Sequence, residues 1–360
     1  MNRVFNFAPG PAVMPLEALE TAAREMTSYK NTGVSVMEMS HRSKMYLEIF
    51  EETAALIHDL MNIPGEYQVL LLQGGATGQF AAVPMNLMTG SGKADYVDSG
   101  NFAHNAMVEA AKYGKVRSAA SSREINYTRV PEIDPAQLDP EADYVHITTN
   151  NTIYGTRFAE IPKTGSVPLV ADMSSNILSE TYDVKDFGVI YAGAQKNIGP
   201  AGVVLVIVRK DLLGREMPIT PNILNWKKMA DADSMYNTPA TYSIYMAGLC
   251  LKWLRNLGGV PAIEKINAEK AKLLYDCIDD SKLFRGVAEK PWRSRMNVTF
   301  RTGDEAVDDA FVKEAAKNGL INLKGHRLAG GMRASLYNAM PAEGVEALVA
   351  FMKRFEAGRV

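Results

Sequence analysis

Short apolar runs alternate with longer amphipathic segments through the first two thirds of the chain. The apolar runs are bounded by turn-forming residues and comprise Tyr67–Leu72, Ala94–Val97, Tyr144–Thr148, Val167–Ala171, Gly188–Ala192 and Val203–Val208. Runs of this length and composition are typical of strands buried on both faces of a mainly parallel sheet. Between them, segments such as Thr77–Met88 and Phe102–Tyr113 have helical spacing. The alternation predicts an α/β fold in which helices flank a mainly parallel sheet.

The rest of the chain adds helices around this block and a smaller unit near the C-terminus. Further helices are predicted at 16–29, 44–60, 241–257, 261–279, 304–318 and 341–356, and further strands at 296–301 and 332–337. A chain of 360 residues is expected to form about two domains on length alone. We predict a large α/β domain over residues 16–254 and a smaller α/β domain formed by residues 1–15 and 255–360.

The composition excludes several classes of protein. Hydrophobic residues make up 47% and charged residues 22% of the chain, as in ordinary globular proteins, which excludes disordered and fibrous chains. The 39 Lys and Arg residues nearly balance the 41 Asp and Glu residues, so no general charge excess favours nucleic acid or an anionic membrane. An anionic ligand must therefore be bound by a local cluster.

The cysteines and the N-terminal segment predict a cytoplasmic location. Cys250 and Cys277 are too few for a disulfide framework, which is typical of a reducing compartment. Residues 1–15 lack the apolar core of a secretory signal. The most apolar run, Val203–Val208, is too short to span a bilayer.

A glycine-rich turn, Gly74–Gly78, directly follows the Tyr67–Leu72 strand and opens a helix. Unpaired N–H groups at a helix N-terminus, together with the close backbone approach that glycine permits, favour an anion such as phosphate. The turn has neither the G-x-G-x-x-G pattern of dinucleotide sites nor the G-K-[ST] of a Walker loop. Taken alone, it is also compatible with a plain strand-to-helix turn.

Asp172 and Lys196 add two side chains at the ends of predicted strands. Asp172 follows Val167–Ala171, at the strand end where ligands of open α/β sheets bind, although an N-cap residue has the same pattern. Lys196 lies in a glycine-flanked loop after Gly188–Ala192. Burial would make it an amine nucleophile or base, although an exposed hairpin lysine has the same pattern. A phosphate cradle, a carboxylate for a ring nitrogen and a lysine for a Schiff base together predict a pyridoxal 5'-phosphate site.

Longer stretches make the sequence similar to a known family. In chain order they are FNFAPGPAVMP (5–15), SVMEMSHRSK (35–44), GQFAAVPMNL (78–87), ADYVDSGNF (94–102), YAGAQKNIGPAG (191–202), Asn237-Thr238-Pro239 and KGHRLAGGMRASLYNAMP (324–341). Over essentially its whole length, the chain resembles the phosphoserine aminotransferases, which are class V pyridoxal-phosphate enzymes of fold type I. The resemblance implies that the large domain binds the cofactor.

The resemblance assigns two catalytic residues and a phosphate site. Lys196 would form the Schiff base with the cofactor, and Asp172 would pair with its pyridine nitrogen. The backbone N–H groups of Ala76 and Thr77 would bind the cofactor phosphate, helped by Gln195.

Four further residues would contact the cofactor in such an enzyme. Asn237 and Thr238 would reach the phosphate from the second subunit of a homodimer, while Thr152 would approach the ring hydroxyl and Phe102 would stack on the ring. Without the resemblance, Phe102 is compatible with a core position. The other three are then compatible with ordinary turns or helix caps.

Substrate recognition would depend on positive charge, because phosphoserine, phosphohydroxypyruvate and glutamate are anionic at both ends. By the resemblance, Arg333 would bind the α-carboxylate with its planar fork. His41, Arg42, His326 and Arg327 would surround the distal phosphate or the γ-carboxylate of glutamate, some of them from the partner subunit. Taken singly, each is more typical of a solvated surface.

Two positions depart from many relatives, which have Arg where this chain has Thr77 and Trp where it has Phe102. Thr77 keeps its backbone N–H but offers no guanidinium, and Phe stacks with less area than Trp. The differences bear on substrate affinity and selectivity more than on the reaction. His58, His104 and His146 lack the spacing of metal ligands, so we predict no metal site.

The implied reaction transfers the amino group of L-glutamate to 3-phosphohydroxypyruvate, giving O-phospho-L-serine and 2-oxoglutarate in serine biosynthesis. Lys196 would move the proton from the substrate Cα. A phosphorylated hydroxythreonine of pyridoxine biosynthesis would be a side substrate. Two alternatives stay open. A cysteine desulfurase needs a thiol on a mobile loop, whereas Cys250 and Cys277 lie in predicted helices; a non-catalytic binder of an anionic small molecule would not need Lys196.

Overall fold

The computed structural model describes residues 3–358 of the chain. In this range the α-helices are α1 (Leu16–Glu25), α2 (Lys44–Met61), α3 (Gly75–Leu87), α4 (Asn101–Ala110), α5 (Trp226–Asp231), α6 (Thr241–Asn256), α7 (Gly259–Asp280), α8 (Glu305–Lys317) and α9 (Ala342–Glu356). The strands are β1 (Phe5–Asn6), β2 (Tyr67–Leu72), β3 (Lys93–Asp98), β4 (Lys115–Ser121), β5 (Tyr144–Thr148), β6 (Asn150–Asn151), β7 (Thr156–Arg157), β8 (Leu169–Asp172), β9 (Val189–Gly193), β10 (Val204–Arg209), β11 (Arg285–Gly286), β12 (Asn297–Arg301), β13 (Leu320–Ile321) and β14 (Met332–Ser335).

A seven-stranded sheet with the order β2-β10-β9-β8-β5-β3-β4 organises the larger part of the chain. β10 runs antiparallel to both of its neighbours, and the remaining pairs are parallel. All strands except β10 therefore end at the same edge of the sheet. The predicted α/β fold with a mainly parallel sheet is confirmed.

Apolar side chains cover both faces of this sheet. On one face, Leu205 and Ile207 of β10 belong to a core that includes Ile57 of α2 and Ile244 of α6. On the other face, Val206 of β10 belongs to a core that also contains residues of α3 and α4. Successive side chains of β10 point to opposite faces of the sheet, and both faces are buried, so Val204–Val208 is apolar at every position.

A third core joins the beginning of the described chain to its C-terminal part. It contains Phe7, Leu274, Phe300, Phe311 and Phe351, and it packs beside the three-stranded sheet β11-β12-β14. β1 pairs in parallel with β13, which fixes the N-terminal segment here. The boundaries of the two predicted domains stay a prediction.

Most predicted elements are present, and the differences have local causes. The helix predicted over 16–29 ends at Glu25, and the chain has left the helical conformation by Ser28, which is extended with φ −155° and ψ 93°. β4 and α5 were not predicted, since β4 is mostly exposed and α5 is only 6 residues long. Among residues 3–358, no helix is long and apolar enough to cross a membrane. The cytoplasmic location stays a prediction.

Candidate active site

A cleft of about 260 Å³ opens at the edge where the parallel strands end. Thr148 ends β5, Asp172 ends β8, and Lys196 follows β9, so the sheet topology places all three at the cleft. The lining also includes Pro9, Gly10, Gly75, Ala76, Thr77, Phe102, Asn150, Thr152, Ser174, Gln195, His326 and Arg333. The structure thus brings together most of the site residues predicted from the sequence.

Lys196 lies in the loop between β9 and β10, with its amine in the cleft. Nζ donates to Thr152 Oγ1 at 2.9 Å and lies 5.6 Å from the centroid of the Phe102 ring. Burial, opposed by Asp172 and reinforced by Arg333, lowers the pKa of Lys196 to about 8. An amine with such a pKa is a better nucleophile and base near neutral pH than an exposed lysine. Lys196 is therefore not the exposed hairpin lysine that its pattern also allowed.

On the opposite wall of the cleft, the backbone of Gly10 lies so close to Lys196 that this position requires a glycine. Gly10 has a φ of +135°, and a Cβ at this position would lie 3.3 Å from Lys196 Cγ. Any larger residue would therefore be strained and would press on the lysine stem.

Asp172 is a buried carboxylate held by one neighbouring residue. Its Oδ1 accepts from the Ser174 hydroxyl at 2.6 Å and from the Ser174 backbone N–H at 2.9 Å. Burial raises the pKa of Asp172, while Ser174 and Lys196 act in the opposite direction. Both bonds go to Oδ1, so Oδ2 is left for a cationic group in the cleft. The turn-capping role suggested by the sequence is present as well.

The N-terminus of α3 forms the third wall. Gly74, with a φ of 91°, precedes the helix and provides no side-chain cap. The backbone N–H of Gly78 donates to Gly74 O at 3.0 Å. An α-helix gives no intrahelical acceptor to the N–H groups of its first residues, here Gly75, Ala76 and Thr77. Together with the positive end of the helix dipole, these groups form an anion site.

Arg333 and His326 line the far side of the cleft. Arg333, on β14, is 6% exposed, and its Nη1 donates to Thr152 O at 3.2 Å while Nε has no partner among the described residues. Burial lowers the pKa of Arg333. His326 Nδ1 accepts from the Leu328 backbone N–H at 3.2 Å, which leaves Nε2 as the donor. Burial, followed by Arg333 and Arg327, lowers the pKa of His326.

Other predicted site residues lie outside the cleft lining of this single chain. They are His41, Arg42, Arg327, Asn237 and Thr238. Asn237 Nδ2 donates to Gln73 Oε1 at 3.0 Å, immediately before the glycine turn. Phe102 is 37% exposed, so it is not the core residue that its pattern also allowed.

Several residues of the cleft were missed by the sequence reasoning. Ser174 stands two positions after Asp172, a spacing typical of a side chain that bonds its own following turn. Thr148 is 3% exposed, and its hydroxyl has no partner among the described residues. Pro9 and Gly10 line the cleft only because tertiary contacts bring the N-terminal segment to it. Within residues 3–358, no group of three or more His, Cys, Asp or Glu side chains is arranged to hold a metal ion.

Comparison with known proteins agrees with this geometry. The model of the family Aminotransferase class-V matches residues 4–348. The phosphoserine aminotransferase of Bacillus cereus is 51% identical over 356 residues, which are 99% of each chain. The solved phosphoserine aminotransferase of Bacillus circulans subsp. alkalophilus superposes with a TM-score of 0.96 and 44% identity over 99% of both chains. The PLP-bound enzyme of Trichomonas vaginalis has a TM-score of 0.93 and 38% identity over 98% of this chain and 100% of its own. The chain therefore belongs to the class-V aminotransferases and, among them, to the phosphoserine aminotransferase family.

Proposed function

We propose that the chain catalyses transfer of the amino group between L-glutamate and 3-phosphohydroxypyruvate, giving O-phospho-L-serine and 2-oxoglutarate. The observation that carries this proposal is the convergence of three features in one cleft. They are the Lys196 amine, the Asp172 carboxylate and the uncapped N-terminus of α3. Arg333 faces them from β14, as a substrate carboxylate requires.

The groups of the cleft fit pyridoxal 5'-phosphate. The N–H groups of Ala76 and Thr77, beside Gln195, are suited to the phosphate, and the free Oδ2 of Asp172 is suited to the protonated ring nitrogen. Thr152 would contact the ring hydroxyl, and Phe102 would contact the ring face. When bound, the cofactor supplies an electron-withdrawing ring that stabilises negative charge at the Cα of an amino acid.

Lys196 has two roles in the proposed reaction. Its Nζ would hold the cofactor, and its free amine would move the proton from the substrate Cα. A pKa of about 8 leaves part of the amine neutral at neutral pH, which a general base requires. The bond from Nζ to Thr152 Oγ1 at 2.9 Å positions the amine.

Arg333 is proposed to bind the α-carboxylate of both substrates. Its guanidinium is buried and one of its donors is unpaired within the described chain, so a carboxylate would complete its hydrogen bonds. His326 and Arg327 are proposed to bind the distal phosphate or the γ-carboxylate of glutamate. Because Thr77 offers no guanidinium, the distal anion depends more heavily on this pair and on cations of a second subunit.

His41, Arg42, Asn237 and Thr238 are proposed to act across the interface of a homodimer, because they lie outside the cleft lining of their own chain. Mixing Lys196→Ala protein with Arg42→Ala protein, followed by subunit exchange, tests this arrangement. Random pairing of two inactive variants should restore about a quarter of wild-type activity, since half of the dimers then hold one intact site. Two variants that remain inactive after exchange would contradict sharing of the site.

The cysteine desulfurase alternative lacks a suitable thiol. Cys250 is buried in α6, where burial raises the pKa of its thiol to about 12. Burial also raises the pKa of Cys277 in α7. Both positions favour the thiol over the thiolate that attacks sulfur.

The visible absorbance of the purified holoenzyme tests the proposed function and the non-catalytic alternative together. L-Glutamate should bleach the cofactor band, and 3-phosphohydroxypyruvate should restore it. Lys196→Ala should abolish this cycle, while the matched control Lys185→Ala, at an exposed site, should retain it. A band that neither substrate changes would contradict the proposed reaction and favour the binding protein.

Such an activity places the protein in serine biosynthesis. Activity toward the phosphorylated hydroxythreonine of pyridoxine biosynthesis is proposed as a side reaction. Thr77 and Phe102 are the positions where selectivity between the two substrates should be sought.

A further inference from the structure

The segment from Gly325 to Gly331, here the substrate loop, carries His326 and Arg327 and is braced by its own hydrogen bonds. The backbone N–H groups of Ala329 and Gly330 both donate to His326 O at 2.9 Å, and that of Gly325 donates to Gly331 O at 2.8 Å. A loop braced in this way keeps its shape. Its position over the cleft therefore depends on the residues against which the loop packs.

The substrate loop rests on a small aromatic cluster. Ala329 packs against the buried side chains of Tyr127, Ile153 and Tyr154. The Tyr127 and Tyr154 ring centroids are 4.7 Å apart. Ile153 and Tyr154 directly follow Thr152, which contacts both Lys196 and Arg333. The cluster therefore relates the substrate loop to the groups that would act at the substrate Cα.

Tyr127 is held in this cluster by a buried carboxylate that the proposed reaction does not use. Its backbone has a φ of 55°, which is unfavourable for a bulky residue and persists only where other contacts fix it. The Tyr127 hydroxyl donates to Asp98 Oδ1 at 3.0 Å. Asp98 is 3% exposed at the end of β3. The Ser121 hydroxyl donates to Asp98 Oδ2 at 3.2 Å, and His104 Nδ1 of α4 lies 3.5 Å from it.

We propose that Tyr127, anchored by Asp98, is a positioning residue that sets selectivity for a substrate with a distal phosphate. It does so by fixing the substrate loop, and with it His326 and Arg327, at the distance where they bind that phosphate. The inference rests on the proposed function. Lys196 follows β9, and Arg333 is held in β14 by its pairing with Thr299 of β12. Contacts at the substrate Cα and α-carboxylate should therefore depend less on Tyr127 than contacts with the distal phosphate.

Coulomb's law gives the size of the expected effect. With an effective dielectric constant of about 20, moving one cation from about 4 Å to about 6 Å from an anion weakens binding about tenfold. If the substrate loop shifts by this distance, the affinity of the site for the phosphate group of a ligand should fall about tenfold.

Calorimetry on the holoenzyme with 3-phosphoglycerate and D-glycerate isolates that contribution. Neither compound has an amino or keto group, so no transfer occurs. The dissociation constant of D-glycerate divided by that of 3-phosphoglycerate therefore reports the contribution of the phosphate group alone. Tyr127→Ala should reduce this ratio about tenfold and Ala329→Gly about threefold, while D-glycerate affinity stays unchanged. Tyr67→Ala is the matched control, because Tyr67 is equally buried, donates to Phe187 O at 2.7 Å and starts β2 at the opposite edge of the sheet.

Each result decides a stated point. A reduced ratio in Tyr127→Ala and Ala329→Gly, but not in the control, supports the proposal. A wild-type ratio retained in both variants would overturn it and leave the proposed function intact. A wild type that binds both compounds equally would overturn the phosphate site itself, and with it both proposals. If Tyr127→Ala does not fold, Ala329→Gly decides the question, because it leaves Tyr127 and Asp98 in place.

Discussion

Replacing Ser174 by alanine isolates the hydroxyl group that holds Asp172. This hydroxyl donates to Asp172 Oδ1 at 2.6 Å and accepts from the Gly193 N–H at 3.1 Å. A hydrogen bond to a charged group contributes about 1.5–3 kcal/mol. Its loss destabilises the carboxylate, so the pKa of Asp172 rises further and the charged partner of the ring nitrogen is weakened. At about 1.4 kcal/mol per tenfold, Ser174→Ala should weaken cofactor binding by about 10- to 100-fold.

Titration of the apoenzyme with pyridoxal phosphate, followed by absorbance, measures this loss. The upper figure is a limit, because the Ser174 backbone N–H still donates to Oδ1 at 2.9 Å. Ser179→Ala is the matched control, since Ser179 is also buried, its hydroxyl donates to Asn176 O at 2.6 Å, and it does not line the cleft. The control should bind the cofactor within about threefold of wild type. Equal affinities in the two variants would refute the role assigned to the Ser174 hydroxyl.

Three further changes test other parts of the structure. Arg333→Lys keeps a charge but loses the planar fork, so the KM for glutamate should rise about tenfold or more while kcat changes less in steady-state assays. Thr77→Ala should leave cofactor affinity within about threefold in the apoenzyme titration, because the backbone N–H remains. Lys270 is buried in α7 and donates to Tyr337 O at 2.8 Å and Met340 O at 2.9 Å. Lys270→Met should lower the free energy of unfolding by about 2–4 kcal/mol in denaturant titrations, since these carbonyls lose their donor. Burial lowers the pKa of Lys270 to about 7. Between about pH 7 and pH 10 the unfolded state then binds more protons than the folded state. The difference in free energy of unfolding between wild type and Lys270→Met should therefore grow as the pH rises.

These expectations have clear contrary outcomes. An unchanged KM in Arg333→Lys would remove the α-carboxylate role. A large loss of cofactor affinity in Thr77→Ala would mean that the hydroxyl, rather than the backbone, binds the phosphate. A stability difference between wild type and Lys270→Met that shrinks as the pH rises would contradict a neutral lysine in the folded protein.

The central strands were predictable because burial on both faces leaves a continuous apolar run, as in β10. Strand direction was not predictable from such a run, and β10 is the strand that runs antiparallel to its neighbours. β4 lies at the sheet edge with mostly exposed side chains, so its sequence has neither an apolar run nor clear alternation. β1 has 2 residues and exists only through its pairing with β13.

The candidate site, like the fold, contains residues that were predictable from the sequence and residues that were not. Asp172 and Lys196 were predictable because local sequence places them at the ends of buried strands. Thr148 and Asp98 also end strands, yet Thr148 gives no chemical signal. The carboxylate of Asp98 is explained only by its contacts with Tyr127, Ser121 and His104. Tertiary contacts of this kind join segments far apart in the chain, and no local pattern encodes them.

Transfer of labelled nitrogen tests the central claim most directly. The holoenzyme would be incubated with 15N-labelled L-glutamate and 3-phosphohydroxypyruvate, and the products would be analysed by mass spectrometry. Our account predicts 15N-labelled O-phosphoserine with an equal amount of 2-oxoglutarate, and no product from Lys196→Ala. Absence of labelled phosphoserine from wild-type protein that retains its cofactor would contradict the account.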